Sequence, residues 1–266
     1  MAYVILTAVL ITMILPFYWM VATSLKTENN VLKFPPDFFP WPITLKNYQA
    51  IFNYGNVWLA FFNSSKISVL VTCGTLFTSS LAAFSFAKLN FSGKKKIYGV
   101  FLATIMIPGQ LTLVPLYLIF STIGWTDSIL PLVVPGVLLN AYGMFMIRSF
   151  METLPNSYVE SAYIDGANPF KTYLSIILPM CKPILVTLGL FTFNGAWNDF
   201  MGALIYLDSE SKFTITLLLS TFRSQYNINW ANIMAASTVA ILPILLLYIF
   251  SQRFFVEGIV ATGLKG

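Results

Sequence analysis

Charged residues divide this chain into six long apolar runs, and their spacing predicts six membrane-spanning helices. A helix that crosses the hydrocarbon core of a bilayer needs about 20 mostly apolar residues. The predicted spans cover residues 3–25, 67–88, 98–122, 128–148, 183–206 and 232–251. Only the fifth contains an acid, Asp199. Because the first run has no basic segment ahead of it, we expect a retained helix rather than a signal peptide.

Composition supports the same fold class, an all-α integral membrane protein with one membrane domain over residues 1–266. Hydrophobic residues make up 57 % of the chain and charged residues 9 %, against about 25 % charged in soluble domains. The basic residues are scattered, which argues against a nucleic-acid partner. The chain has no histidine, which excludes histidine-based catalysis, metal sites and proton relays.

The placement of Lys and Arg predicts the orientation of the spans. If both termini are cytoplasmic, nine basic residues fall on the cytoplasmic side and six on the outer side, and Lys94–Lys95–Lys96 lie in a short inner loop. The outer segments are then 27–65, with the aromatic stretch FPPDFFPWP at 34–42, and 208–230. The longest inner segment is 149–182. We therefore expect a multi-pass protein of a bacterial cell membrane.

Residues 149–182 contain the clearest local signals in the chain. Ser157 and Glu160 have the spacing of a capping box, and Gly166 follows at the position of a helix C-cap. Asn168–Pro169 is typical of a second helix start. The pattern predicts a helix, a glycine turn and a helix outside the bilayer.

The first of these helices has features of a docking surface. Tyr158, Ala162 and Asp165 fall near one face, and the small Ala162 and Gly166 would let a partner approach closely. The structural alternative is that Glu160 only caps the helix and Gly166 only ends it.

The spacing of these residues resembles the EAA loop of binding-protein-dependent ABC importer permeases. The matching residues are Glu160–Ser161–Ala162, then Gly166, then Ile177–Leu178–Pro179. Ser161 departs from the family pattern, which has alanine there. Further stretches resemble the carbohydrate branch of that family, which includes the second membrane subunits of the maltose and glycerol-3-phosphate importers. They are ILPFYWMVATSLK (14–26), FFNSSKISVLVT (61–72), SLAAFSFAKLNFSGKK (80–95), IMIPGQLTLVPLYLIFSTIGWTDS (105–128), FNGAWNDF (193–200) and QRFFVEGIVATGLKG (252–266).

The resemblance implies a type I importer in which this chain forms half of the translocation pathway. Its expected partners are a second permease subunit in a heterodimer, two copies of a cytoplasmic ABC ATPase and an extracytoplasmic sugar-binding protein facing 27–65 and 208–230. The chain has no GxxxxGK[ST] phosphate-binding loop, so it is not expected to be an enzyme or to bind a cofactor. ATP and Mg would be bound by the partner ATPase. The loop residues expected to couple the two proteins are Tyr158, Glu160, Ser161, Ala162, Asp165, Gly166, Leu178 and Pro179.

Polar residues within the predicted spans are the candidates for contact with substrate. Asparagine, aspartate and tryptophan suit a sugar, because they supply hydrogen bonds and a flat apolar face. An acid inside a span is costly and usually functional, although Asp199 could instead cap a helix near the end of its span. The candidates are Asn140, Tyr142, Met144, Asn194, Trp197, Asn198 and Asp199.

Other functions remain as alternatives at this point. The absence of a cluster of arginines in the spans favours a neutral sugar over glycerol-3-phosphate. The same subunit role for glycerol-3-phosphate or a related polyol is the alternative substrate class. A secondary transporter or channel would favour more charges in the spans or matching halves. A membrane enzyme would require a catalytic set, and no such set is recognisable in the sequence.

Overall fold

A computed structural model describes residues 1–53, 56–222 and 229–263, with side chains described as far as residue 252. Within these ranges the chain is helical and has no strand. The helices are α1 Ala2–Ser24, α2 Glu28–Val31, α3 Lys46–Asn53, α4 Val57–Lys88, α5 Lys94–Ile105, α6 Gly109–Thr122, α7 Leu130–Leu138, α8 Ala141–Thr153, α9 Ser157–Ile164, α10 Pro169–Thr172, α11 Leu178–Met180, α12 Lys182–Trp197, α13 Phe200–Tyr206, α14 Ile215–Thr221 and α15 Trp230–Gly263. A π-helical turn, Tyr173–Ile177, joins α10 to α11, and a short 3₁₀ turn, Glu210–Lys212, precedes α14.

Contacts divide the chain into two compact units. Unit 1 comprises Met1–Asn63 and Asp208–Leu245, and unit 2 comprises Ser64–Leu207 and Leu246–Gly266. The prediction of one membrane domain over residues 1–266 stays a prediction.

Four segments are long and apolar enough to cross a membrane, and two bent helix pairs raise the number to six if each pair is one span. The four are Ala2–Ser24, Val57–Lys88, Leu130–Thr153 and Trp230–Gln252. The bent pairs are α5 with α6, at 98°, and Pro169–Met180 with α12, at 81°. The six predicted spans therefore have helical counterparts, but several of them are not continuous helices.

Three of the interruptions coincide with a proline or with a capping side chain. Between α5 and α6 stands Pro108, which has no amide hydrogen to donate to a continuing helix. The amide of α8 residue Gly143 donates to the Asn140 side chain, and that of α13 residue Gly202 donates to the Asp199 side chain. These side chains start new helices, so the predicted spans 128–148 and 183–206 are each broken at a polar residue.

Small residues bring α4 and α7 into close contact in unit 2. A Cβ atom added at Gly74 would lie 2.5 Å from Cγ2 of Val137, and one at Gly136 would lie 3.1 Å from Cγ1 of Val71. The hydroxyl of Thr75 donates to the carbonyl of Gly136 at 2.8 Å. Close backbones joined by hydroxyl hydrogen bonds are typical of helices packed within a membrane.

The core of unit 2 joins α4, α8, α9, the π-helical turn and α12. Its buried members are Ala83, Phe84, Phe86, Met144, Ile147, Met151, Val159, Tyr173, Ile177, Cys181 and Leu188. The segment between α8 and α12 is thus packed onto the helices rather than detached from them.

We expect Gly74→Leu to destabilise the chain, because the branched Val137 side chain cannot move aside without disturbing α7. Overpacking of this kind costs about 1–3 kcal/mol, and thermal unfolding of the purified protein in detergent should show a lower midpoint. The matched control is Gly99→Leu on α5, where an added Cβ has no neighbour within 4 Å. Equal midpoints for the two variants would contradict this account of the α4–α7 contact.

Candidate functional site: the α9 helix and the broken spans

The α9 helix begins one residue earlier than a capping box predicts. Its N-cap is Asn156 rather than Ser157, and no side chain caps the helix. The reason lies outside the loop: Nζ of Lys88, at the end of α4, donates to Oδ1 of Asn156 at 2.9 Å and to the carbonyl of Leu154 at 2.7 Å. A long-range hydrogen bond to Asn156 therefore replaces the predicted local cap.

The end of α9 matches the sequence prediction. The amide of Gly166 donates to the carbonyl of Tyr163, and the amide of Ala167 to that of Ala162, which is a Schellman turn. Gly166 has φ +77°, a backbone conformation that favours glycine. An added Cβ at Gly166 meets nothing within 4 Å, so backbone conformation rather than close packing requires glycine here.

The second helix of the loop also starts as predicted. Asn168 is the N-cap and accepts a hydrogen bond from the amide of Lys171, and Pro169 occupies the first turn. The helix then passes through the π-helical turn, where Tyr173 is buried and its hydroxyl lies 2.8 Å from that of Ser80 on α4. The loop is therefore tied to α4 at two places, Lys88 and Ser80.

Burial separates the eight predicted coupling residues into inward and outward groups. Ala162 lies inside unit 2 together with Val159, and Leu178 is half-buried. Ala162 thus packs against its own chain rather than forming a surface for close approach. The exposed members are Tyr158, Glu160, Ser161, Asp165, Gly166 and Pro179.

Two exposed apolar side chains beside the glycine turn were not predicted from the sequence. Ile164 is 86 % exposed at the last position of α9, and Phe170 is 57 % exposed on α10. Their exposure is visible only once the inward face of α9 is fixed by Val159 and Ala162. The signal that could have found them is one large apolar residue on each side of Gly166, two residues before it and four residues after it.

The seven predicted pathway residues do not form one group. Met144 and Trp197 are buried within unit 2, at 1 % and 2 % exposure. Asn198 is held by Asn194, whose carbonyl and Oδ1 each accept from Nδ2 of Asn198 at 2.9 Å. Asp199 caps α13, which was the structural alternative considered for it.

Asn140 and Tyr142 do come together, at a cavity of about 340 Å³ beside the interruptions between α5 and α6 and between α7 and α8. Small-molecule sites enclose about 300–1,000 Å³, so the cavity has room for a small ligand. Its lining carries the polar groups of Thr104, Asn140 and Tyr142 among apolar residues, and it includes no Asp, Glu, Lys or Arg. Asn194, Asn198 and Asp199 are not among the lining residues.

No cluster of side chains in the part of the chain that the structure describes could hold a metal ion. The polar residues found at the helix interruptions cap helices or line the cavity. The arrangement is that of interrupted apolar helices with an exposed helical loop.

Comparison with known proteins gives the class of this chain. Residues 74–260 match the family described as binding-protein-dependent transport system inner membrane component. The chain belongs to that family, the membrane-spanning permease subunits of ABC importers, which are not enzymes themselves. It is accordingly a multi-pass membrane protein.

Relatives extend the match along almost the whole chain. The inner membrane ABC transporter permease protein YcjP of Escherichia coli is 32 % identical, over 97 % of this chain and 93 % of its own length. The arabinooligosaccharides transport system permease protein AraQ of Bacillus subtilis is 29 % identical, over 94 % and 90 %. The expected resemblance to carbohydrate ABC permeases is confirmed.

A solved structure confirms the fold. A chain of a bacterial ABC transporter involved in the import of the acidic polysaccharide alginate superposes with a TM-score of 0.84. The alignment covers 96 % of this chain and 95 % of that chain at 19 % identity. The predicted all-helical, type I importer-like membrane fold is therefore correct.

Substitutions at Asp199 should separate the contribution of its hydrogen bond to Gly202, which caps α13, from the contribution of its negative charge. Asp199→Asn keeps an oxygen that can accept from the amide of Gly202, so we expect a nearly unchanged unfolding midpoint. Asp199→Ala removes the cap, which costs about 1 kcal/mol and should lower the midpoint by a few degrees. A midpoint for Asp199→Asn as low as that for Asp199→Ala would show that the negative charge, and not the cap, stabilises α13.

Proposed function

We propose that this chain is the permease subunit of an ATP-driven importer for a neutral sugar or oligosaccharide delivered by an extracytoplasmic binding protein. With a second permease subunit it would form the translocation pathway, and two copies of a cytoplasmic ATPase would bind ATP and Mg. Both termini and the 149–182 loop would then be cytoplasmic. The observation that carries the proposal is the exposed, glycine-terminated α9 helix, which has the residue spacing of the family's coupling loop and is tied to α4.

The exposed face of α9 suits a protein cleft. Ile164 and Phe170 offer apolar side chains around the glycine turn, and Glu160 offers a carboxylate that could pair with a basic group. Protein interfaces commonly combine apolar anchors with a polar rim. A helix presented this way is suited to insertion into a groove on the ATPase.

The contacts of the loop with α4 could transmit a movement of α9 to the membrane-spanning helices. Lys88 connects α4 to the residues just before α9, and Ser80 connects α4 to Tyr173 beyond the turn. A displacement of α9 would therefore be passed to α4 at two positions about two helical turns apart. Rigid-body movement of packed elements is a standard form of switching.

The lining of the cavity favours a neutral substrate. Tyr142 is half-exposed and provides a ring face and a hydroxyl, while Thr104 and Asn140 add polar atoms. A phosphate would be expected to require arginine or lysine, and none lines this cavity. The name of the arabinooligosaccharide relative points the same way. Glycerol-3-phosphate is therefore the second candidate, and membership of the permease family argues against a secondary transporter.

The substrate class can be tested with the assembled complex in proteoliposomes. We expect a neutral sugar or oligosaccharide from a panel to stimulate ATP hydrolysis and enter the vesicles, and glycerol-3-phosphate to do neither. Tyr142→Ala should weaken uptake of that sugar by roughly twofold to tenfold, the loss of about 0.5–1.5 kcal/mol for an aromatic contact.

The control for that substitution is Tyr248→Ala, since Tyr248 is a similarly exposed tyrosine on α15 that does not line the cavity. Stimulation by glycerol-3-phosphate alone would overturn the neutral-sugar assignment. Equal uptake by both tyrosine variants would remove the cavity from the pathway.

Coupling can be tested at Glu160 and Gly166. Glu160→Ala should lower uptake roughly tenfold or more, since a hydrogen bond to a charged group contributes about 1.5–3 kcal/mol, while the chain still inserts into the membrane. Gly166→Trp should uncouple hydrolysis from uptake as well, because φ +77° strains any bulky residue.

Ser161→Ala is the matched control, since it changes a neighbouring exposed residue to the one the family pattern carries. Gly166→Asn is a second control, because asparagine tolerates positive φ. Normal uptake by a purified, assembled Gly166→Trp complex would contradict the coupling assignment.

A further inference from the structure

Residues 34–42, here named the aromatic loop, expose large apolar rings in unit 1. Phe34 is 93 % exposed, Phe39 76 % and Trp41 80 %, and Phe38 is also exposed. Large apolar side chains exposed together along one segment commonly mark an interaction surface. The permease role proposed above does not require them.

The aromatic loop is held firmly rather than extended freely. The side chain of Lys26 is buried, and its Nζ donates to the carbonyl of Asp37 at 2.5 Å while lying 4.3 Å from the centre of the Trp19 ring. The hydroxyl of Tyr18 donates to the carbonyl of Phe38 at 2.8 Å. The rings of Trp19 and Phe38 meet edge to face, with centroids 5.8 Å apart.

These contacts fix the loop at one end of the first apolar helix. Tyr18 and Trp19 lie in the last two turns of α1, which ends at Ser24, and Lys26 lies two residues beyond that end. Two further hydrogen bonds hold the chain just after α1. Nδ2 of the buried Asn47 donates to the carbonyls of Ser24 and Lys26 at 2.7 Å each. The exposed rings are therefore held at the level where α1 ends.

If α1 spans the bilayer, that level is the surface of the membrane. α1 has 23 residues, which at about 1.5 Å each give a length slightly greater than the hydrocarbon thickness of about 30 Å. Its apolar side chains are exposed along the helix, as lipid contact requires. Aromatic residues concentrate at the two interfaces of a bilayer, where their rings lie at the level of the headgroups.

We propose that the aromatic loop is a membrane-interface anchor, in which Phe34, Phe38, Phe39 and Trp41 pack among lipid headgroups and the upper acyl chains. Charge favours lipid over a protein partner as the occupant. The only charged residue of the loop is Asp37, and its carboxylate is paired with Nζ of Lys33 at 3.0 Å. The exposed surface is therefore apolar, with little charge to specify a protein.

The anchor explains why a lysine is buried beside the loop. Lys26 orders the loop by binding the Asp37 carbonyl and the Trp19 ring, so the rings need little further ordering when they enter the interface. The inference depends on α1 crossing a membrane and not on the substrate or on the ATPase, so it can fail while the proposed function holds.

Depth-dependent fluorescence quenching tests the anchor in the full chain, assembled in lipid vesicles of phosphatidylcholine. The fluorescence of Trp41 is obtained by subtracting the spectrum of the Trp41→Phe variant from that of the wild-type protein. We expect nitroxide lipids labelled near the headgroup to reduce this emission more than lipids labelled near the end of the acyl chain, and aqueous iodide to reduce it little. The control is the difference obtained with Trp197→Phe, since Trp197 is buried within unit 2 and should show weak quenching by every agent.

Two outcomes would overturn the proposal. One is strong quenching of Trp41 by iodide with none by the lipids, which would place the loop in water. The other is protection from iodide that appears only after a binding protein is added, which would make the loop a protein-docking surface. Lys26→Met provides a second measurement. In this variant we expect nitroxide lipids to quench Trp41 less and aqueous iodide to quench it more than in the wild-type protein. Unchanged quenching by the nitroxide lipids would show that Lys26 does not hold the anchor.

Discussion

The two hydrogen bonds donated by Lys88 set the position of the 149–182 loop relative to α4. The amino group lies at the end of α4 and binds the Leu154 carbonyl and the Asn156 side chain, the last groups before α9 begins. Because the Asn156 side chain is engaged there, it does not cap α9. The start of the helix is thus determined by a residue 68 positions away rather than by its own first turn.

The π-helical turn completes the attachment. It places the Tyr173 ring 5.4 Å from that of Phe84 and its hydroxyl against Ser80, both on α4. Since Val159 and Ala162 are buried in the same unit, one side of α9 packs against its own chain. The other side, with Glu160, Ser161 and Ile164, remains open. In the proposed complex, this division would let the ATPase hold α9 without separating it from α4.

Short sequence signals correctly predicted those features that depend only on the backbone preferences of neighbouring residues. The glycine turn at Gly166 and the Asn168–Pro169 helix start were correct because each depends on a backbone preference within a few residues. The shift from Ser157 to Asn156 could not be foreseen, since its cause is Lys88. The inward position of Ala162 and the burial of Met144 and Trp197 also escaped prediction, because apolar composition does not reveal which face of a helix meets its own chain. The helix interruption at Asn140 escaped it because hydropathy counts a run as continuous wherever its average stays high, whereas capping by Asp199 had been considered as an alternative.

Those interruptions change how polarity within an apolar chain should be interpreted. Asn140 and Asp199 both use a side-chain oxygen to satisfy the amide of a glycine three residues later, an amide that no helical carbonyl reaches. Polar residues are needed wherever a span is broken, whether or not a substrate passes. Residue type alone therefore does not identify a substrate contact, whereas position at an open cavity is more informative. By that measure Tyr142, which is exposed and caps no helix, is a better candidate for contact with substrate than Asp199, which caps α13.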